Sequence, residues 1–431
     1  MGTDTPDAAH RSADQWEEIR APYGLTVPVA RRPDNAGAET LKSISRKRHL
    51  MRETMVALKD QAFSPDRVKR LQRRWRIGQV ADMVGRTPQA IRDKQREGKL
   101  RRPESPRAYT LEDINEIRRV FGTLPWRAPD EEPVVLAFQT FKGGAGKSTL
   151  AVHFAQYMAI KGYRVLFVDC DPQGSASTLF GAHPALSPEQ LLGSGQDELD
   201  YSLEEYLSNL FDEFSKCVRS TYFTGVDIVP AGLTLNNADY YLAAEVSSNP
   251  ELINRLQSGI HQVWHEYDCV VLDPPPALGL LSLSVMNAAN GLVIPLKPTV
   301  IDFASTWQFL EMSYDNISAL NARGLPPYYH FNVFVVNNLN DAKSAHLEIT
   351  QGMRQMFSEE DMISAMMRDS AEIDNAAKEM QSVYDLNEAM TTREVHSRCL
   401  RYLDRLNSEI EVRVRRTWPS HTQALRKAAR I

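Results

Sequence analysis

The sequence predicts an α/β fold, a mostly parallel sheet flanked by helices, preceded by a smaller all-helical module. Three observations carry that expectation. An apolar run from Val134 to Phe138 leads into a glycine-rich loop and then an amphipathic stretch, Leu150 to Lys161. Further apolar runs follow at Arg164–Val168, Asp227–Ala231, Cys269–Leu272, Gly291–Lys297 and Asn332–Asn338, and two of them end in aspartate. Residues 41–108 hold 20 Lys and Arg against 7 Asp and Glu, in a chain whose formal net charge is −5.

Composition sets the bounds. A chain of 431 residues has room for one large core plus a smaller module. A basic block on an acidic protein is the electrostatic footprint of a nucleic-acid contact. The four cysteines, Cys170, Cys217, Cys269 and Cys399, are widely spaced without a Cys-x-x-Cys pair, which points to reduced core thiols in a cytoplasmic protein. The polar, charged start does not read as a signal peptide. No apolar run approaches the ~20 residues that span a bilayer.

In chain order, residues 1–40 lack periodicity and are expected to be disordered. Residues 41–70 read as a basic helix marked by Leu41, Ile44, Met51, Met55 and Leu58, packed on its own domain or paired with a second chain. Residues 71–121 read as a DNA-binding unit. A helix from Ile77 ends near Gly85, Thr87 caps a second helix and Pro88 opens it. Ile77, Val80, Ala81, Val84 and Ile91 would share a small core. That pattern is a helix-turn-helix, whose second helix enters the major groove and would present Gln89, Arg92, Asp93 and Arg96. Arg101 to Tyr109 could form a basic wing and Leu111 to Val120 a closing helix, an arrangement similar to MerR-type winged modules. The alternative is a charged helical hairpin serving as a dimer or partner surface. Residues 122–133, with three prolines and an acidic triplet, read as a linker to the main domain, 134–431.

The chemistry centres on Lys142-Gly143-Gly144-Ala145-Gly146-Lys147-Ser148-Thr149. Strand, glycine loop and helix is the context of a phosphate-binding loop and of a P-loop NTPase fold. The glycines let successive N–H groups turn toward an anion, and the helix start adds more. Lys147 would reach the β- and γ-phosphates and Ser148 would ligate Mg²⁺. The paired lysines make the loop similar to the variant loop of the ParA/MinD ATPases, which implies that Lys142 crosses a dimer interface to the partner's nucleotide.

Asp169-Cys170-Asp171-Pro172-Gln173 stands at a strand's carboxyl end, where an open α/β sheet binds ligands. It resembles the second ParA signature, implying that Asp171 positions or deprotonates the attacking water and that Asp169 lies in the Mg²⁺ shell. Either carboxylate could instead cap the following segment. Cys269 to Asp273, followed by three prolines, matches a Walker-B strand delivering Asp273 toward the metal. By the same resemblance Asn337, with Asn338 as its rival, recognises adenine. Residues 187–216 read as a polar helical insertion and Met362–Met367 as a final strand. Glu372 to Asp385 resembles large plasmid ParA proteins, including RepA of the repABC replicons. Arg413, Arg415, Arg416, Arg426, Lys427 and Arg430 make a basic tail, read as a DNA surface or as simple solvation.

The resemblance implies a function: an ATP-bound homodimer that binds nucleoid DNA non-specifically in the cytoplasm, released when a centromere-bound ParB-type partner stimulates hydrolysis, and able to repress its own operon. Two other classes compete, a transcriptional repressor using nucleotide as an allosteric ligand and a MinD-like membrane-positioning ATPase.

Overall fold

The computed structural model describes residues 37–38, 40–47, 49–51, 71–103, 105, 108–182, 201–232, 234–277, 279–324 and 326–427. The chain divides into two compact units, Met1–Val68 and Lys69–Ile431. In the first, residues 40–47 and 49–51 are helical, and Leu41, Ile44 and Met51 are exposed. Met55 and Leu58, and nearly all of the expected disordered tail, lie outside the described residues.

The second unit opens with three helices, α1 (Ile77–Val84), α2 (Pro88–Arg96) and α3 (Leu111–Phe121). Gly85, at φ +66°, ends α1 in the left-handed conformation that glycine adopts most readily. Thr87 then accepts a hydrogen bond from the Ala90 N–H at 3.2 Å, and Pro88 supplies a preset first helical residue. Val80, Ala81, Val84 and Ile91 are buried, as their spacing requires, with Ile77 packed beside them. Trp75 and Tyr109 exchange backbone hydrogen bonds at 3.0 and 3.1 Å, an antiparallel bridge at the base of the expected wing.

The sheet follows. β1 (Val134–Phe138) leads to α4 (Lys147–Lys161), then β2 (Val165–Asp169), α5 (Ser175–Leu179), α6 (Leu203–Leu207), β3 (Arg219–Ser220), β4 (Val226–Val229), α7 (Leu235–Glu245), α8 (Arg255–Val263) and β5 (Cys269–Asp273). After it come α9 (Leu280–Ala288), β6 (Gly291–Leu296), α10 (Val300–Ala322), β7 (Phe331–Val336), α11 (Ser344–Met356), α12 (Ala371–Lys378), α13 (Arg393–Arg416) and α14 (Thr422–Lys427). The strand order is β3-β4-β2-β5-β1-β6-β7, with only β3 antiparallel. β1, β2, β5 and β6 are buried along their whole length, the mark of a parallel sheet covered on both faces. All four cysteines are buried and unpaired.

Helix α4 departs from its amphipathic expectation: eleven of its fifteen residues are buried. It is covered all round, as such a helix must be. The sheet lies under one side, and α13 packs along another, where Tyr157 and Tyr163 both donate to the Glu411 carboxylate, at 2.9 and 3.1 Å. The His153 Nε2 accepts the Val383 N–H at 3.2 Å while its Nδ1 lies 2.6 Å from the Thr149 carbonyl. At the carboxyl end, Arg118 of α3 is 1% exposed and donates at 2.8 Å to the Ile160 carbonyl, and Trp126 donates at 3.0 Å to that of Gly162. Burial pulls the Arg118 guanidinium down to about 10, still charged at neutral pH.

Four expectations change. Within residues 122–133, Arg127 is buried and donates to the carbonyls of Tyr267 and Trp264, both at 3.0 Å. The basic tail folds back onto the same segment, with Trp418 1% exposed and its Nε1 donating to the Glu132 carbonyl at 2.9 Å. Arg413 and Arg415 are engaged by the Glu409 carbonyl and His421; Arg416, Arg426 and Lys427 are exposed, and Arg430 lies outside the described residues. Finally, Met362–Met367 is no strand. It touches β7 at Met362 and again near Met367, but in between the Ser364 and Ala365 N–H groups turn to the Glu409 carboxylate, at 2.8 and 3.1 Å. The expected insertion is described only from residue 201, where Leu203, Tyr206, Leu207 and Phe214 are buried rather than polar surface.

Burial lowers the His153 imidazole to about 4, against about 6.5 for a free histidine. Between those values the unfolded chain binds the proton and the native chain does not. Its stabilising contribution is therefore complete above pH 6.5 and is lost as the pH falls toward 4, by about 3 kcal/mol. Chemical denaturation of the parent and His153→Gln across that window should show a shallower pH slope in the variant; equal slopes would contradict the assignment.

Candidate nucleotide-binding site

The site is built where β1, β2 and β5 end together. β1 lies between β5 and β6, so its carboxyl end opens at the middle of the sheet. The loop from Lys142 to Gly146 leaves β1 there and passes directly into α4. Gly144 and Gly146 hold φ values of +78° and +79°. Gly143, Gly144, Gly146, Ser148 and Thr149 are all at least partly exposed, while Ala145 and Lys147 are buried. Lys147, on the first turn of α4, faces Asp273 and Asp171, which oppose the lowering of its ammonium by burial.

The β2–β5 register sets Asp169 beside Asp273. Both are fully buried, and they do different work. Asp169 accepts from the Ser177 N–H and hydroxyl, at 2.8 and 2.6 Å, and from the Asp171 N–H at 3.1 Å. It is a cap for the turn into α5, and those donors temper the burial that raises its carboxyl to about 6. Among the described residues neither oxygen of Asp273 has a hydrogen-bond partner. Burial, reinforced by Asp169, pushes its carboxyl well above the usual carboxylate range, while Ser148 and Lys147 pull the other way. An orphaned buried carboxylate beside a hydroxyl and a phosphate loop fits a hydrated divalent cation; Asp169, already satisfied by three donors, fits that shell less well than its sequence position suggests. Asp171 sits one turn outward, 9% exposed, with one oxygen accepting the Gln173 N–H at 2.9 Å.

Two site residues behave differently from expectation. The Asn337 side chain donates at 2.7 Å to the Ala145 carbonyl, so its amide braces the phosphate loop rather than facing outward to a base. Asn338, at φ +53°, takes the turn out of β7. Lys142 lies 2.9 Å from Asp302 of its own chain. Asp302 is fixed at the start of α10, where its N–H donates to the Thr299 hydroxyl at 3.1 Å and its other oxygen accepts from that hydroxyl. Sequence alone marked neither Ser177 nor Thr299, nor the pairing of Asp302 with Lys142. A Thr-x-x-Asp capping pattern was visible at 299–302, but nothing in it pointed to Lys142.

On α2, far from this site in sequence, Gln89, Arg92 and Arg96 are all exposed. Asp93 ties two of them together, accepting from Gln89 at 2.8 Å and pairing with Arg96 at 3.1 Å.

Comparison with known proteins agrees with this geometry. A family model described as an AAA domain matches residues 134–321. Protein SopA of Escherichia coli K12 is 32% identical over 361 residues, which cover 80% of this chain and 89% of SopA. The chain belongs to the ParA family of partition ATPases. A putative replication protein A of Sinorhizobium fredii is 29% identical over 87% of this chain and 92% of its own length. A solved structure described as a partition protein shares the fold, with a TM-score of 0.59 at 16% identity, covering 84% of this chain and 97% of that one. This ParA-family chain has, among the described residues, no helix long and apolar enough to cross a membrane.

A Cβ added to Gly146 would lie 2.2 Å from Asn337 Nδ2, at a φ that side chains resist. Gly146→Ala should therefore weaken nucleotide binding severely, whereas Asn337→Ala, which removes one buried brace, should cost about 1 kcal/mol or several-fold in affinity. Titration with a fluorescent ATP analogue distinguishes them; equal losses would mean that Asn337 does not act through the loop.

Proposed function

We propose that the protein is a DNA-segregation ATPase that hydrolyses ATP to ADP and phosphate with Mg²⁺, pairs with a second copy when ATP is bound, and in that state holds non-specific DNA. The observation that supports it best is the Lys142–Thr149 loop standing beside the unpartnered Asp273. In this scheme the loop N–H groups and Lys147 bind the phosphates, with Ser148 and Asp273 holding the cation's shell and Asp169 fixing the turn that carries Asp171. Held there by Ser148 and Asp273, Mg²⁺ would neutralise charge on the phosphates. Asp171 holds the attacking water, and its remaining oxygen is the group suited to accept a proton from it. Lys142 exchanges Asp302 for the partner's phosphates, and a second cation there stabilises charge developing in transfer.

By family likeness, a centromere-bound ParB-type protein stimulates hydrolysis and releases the dimer, at the nucleoid in the cytoplasm. We read α1 and α2 as a helix-turn-helix through which the protein represses its own operon, with Gln89, Arg92 and Arg96 facing DNA. A nucleotide-regulated repressor without a role in partition is the second reading, favoured by the exposed side chains on α2.

Sedimentation with ATP, ADP and no nucleotide tests the scheme. Lys147→Ala should abolish nucleotide binding. Lys142→Ala should bind ATP yet stay monomeric with no stimulated turnover. Asp171→Ala should accumulate as an ATP-bound dimer on random-sequence DNA. An association state indifferent to nucleotide in all three would sink the proposal.

A further inference from the structure

Between the segment entering α1 and the start of α13 the surface opens into a cavity of about 1070 Å³. Its lining includes three guanidinium groups, Arg74, Arg76 and Arg393, and the imidazole of His396. All three arginines are exposed, and none forms an ion pair among the described residues. Arg74 spends part of its fork on its own backbone, donating to the Leu71 and Arg73 carbonyls at 2.6 and 2.9 Å, and Glu112 lies within electrostatic reach of it. Among the described residues, Glu388 is the only carboxylate in the lining. Behind the wall, Glu372 is consumed by the Met390 and Thr391 N–H groups and by His396, at 2.9, 3.0 and 2.7 Å. The groove is thus a concentration of positive charge drawn from two parts of the fold that are more than 300 residues apart in sequence. Internal packing gives no reason for it.

We infer that this groove takes a stretch of the phosphate backbone of the same duplex that α2 faces. The inference rests on the proposed DNA-binding role of α1 and α2. In that docking geometry the first helix crosses the backbone while the second lies in the major groove. Arg76 is the residue that opens α1. A backbone running past it enters the groove and meets Arg393, at the first turn of α13, on the opposite wall. Guanidinium forks match phosphate oxygens in geometry as well as charge. The ATPase part of the chain then adds contacts to DNA that position the duplex without reading its sequence. An acidic peptide is the other polyanion of suitable charge. The continuity of the groove with α1 favours DNA.

The test uses the full-length protein with ADP and the duplex immediately upstream of its own coding sequence, titrated across about 50 to 200 mM salt, where each phosphate contact contributes about 0.9 to the slope of log K against log salt. The triple variant Arg74→Ala, Arg76→Ala, Arg393→Ala should lower that slope by about 2 to 3, and the matching Arg→Lys triple should largely restore it, since the slope counts charges. Unstimulated ATP turnover should be unchanged in both. A parent-like slope in the alanine triple, with binding still weakened by Arg92→Ala and Arg96→Ala, would overturn the groove while leaving the α2 reading intact. Binding indifferent to the α2 variants would remove the reading on which the groove rests, and with it the shared duplex. Loss of partner-stimulated turnover with unchanged DNA binding would assign the groove to a protein and overturn the inference.

Discussion

Two carboxylates, Asp169 and Asp273, stand side by side in a region from which water is excluded. At an effective dielectric constant of about 20, two like charges 4 Å apart repel by about 4 kcal/mol, and burial adds to that cost. The fold meets the problem asymmetrically. Asp169 is given three donors and becomes part of the wall, while Asp273 is given none and faces Lys147 and Ser148. A protein that required only a stable core would place apolar residues at both strand ends. The arrangement is reasonable only where a cation and a phosphate chain complete it, so stability is surrendered at the point where ligand binding returns it.

The same asymmetry explains the unusual burial of α4. Its first turn must hold phosphates, so the helix has to be fixed along its whole length. The sequence supplies a separate fastening for each part: His153 to the Val383 backbone, Tyr157 and Tyr163 to Glu411, and Arg118 and Trp126 to its last carbonyls. Each fastening lies in a different segment of the chain. The segment after α12, helix α13 and the module before β1 are thereby organised around one helix rather than around the sheet.

That is also why legibility was uneven. The phosphate loop, the acid-tipped strands and the caps at Gly85, Thr87 and Pro88 are local patterns, and each proved to occupy the expected element. What local pattern could not reveal was which groups meet across the fold. Arg127 and Trp418 look like linker and tail residues, because proline and charge dominate their neighbourhoods, yet each is buried against a distant carbonyl. Glu409 breaks the expected last strand by taking two N–H groups from 45 and 44 residues away. The family resemblance gives Asn337 an adenine-recognising role, but its bond to the Ala145 carbonyl comes from the neighbouring β6–β7 and β1–β6 registers and not from its own sequence context.

The fastening of α4 has a mechanical consequence. Any displacement of its amino end would have to be absorbed along the helix or passed to the groups fastened to it. The interior on its flanks is closely packed and yields little. At its carboxyl end, letting go of the Ile160 carbonyl would leave the buried Arg118 fork with only its bond to the Asn115 side chain, at 2.7 Å, a loss of about 1–3 kcal/mol. Moving α3 together with α4 keeps that bond intact and costs less. Ile114 and Ile117 of α3 belong to the same buried apolar cluster as Val80 of α1 and Ile91 of α2. Arg118 thus joins the module before β1 to the far end of the helix that begins at the phosphate loop, a link that the sequence alone shows only as another charge on a helix.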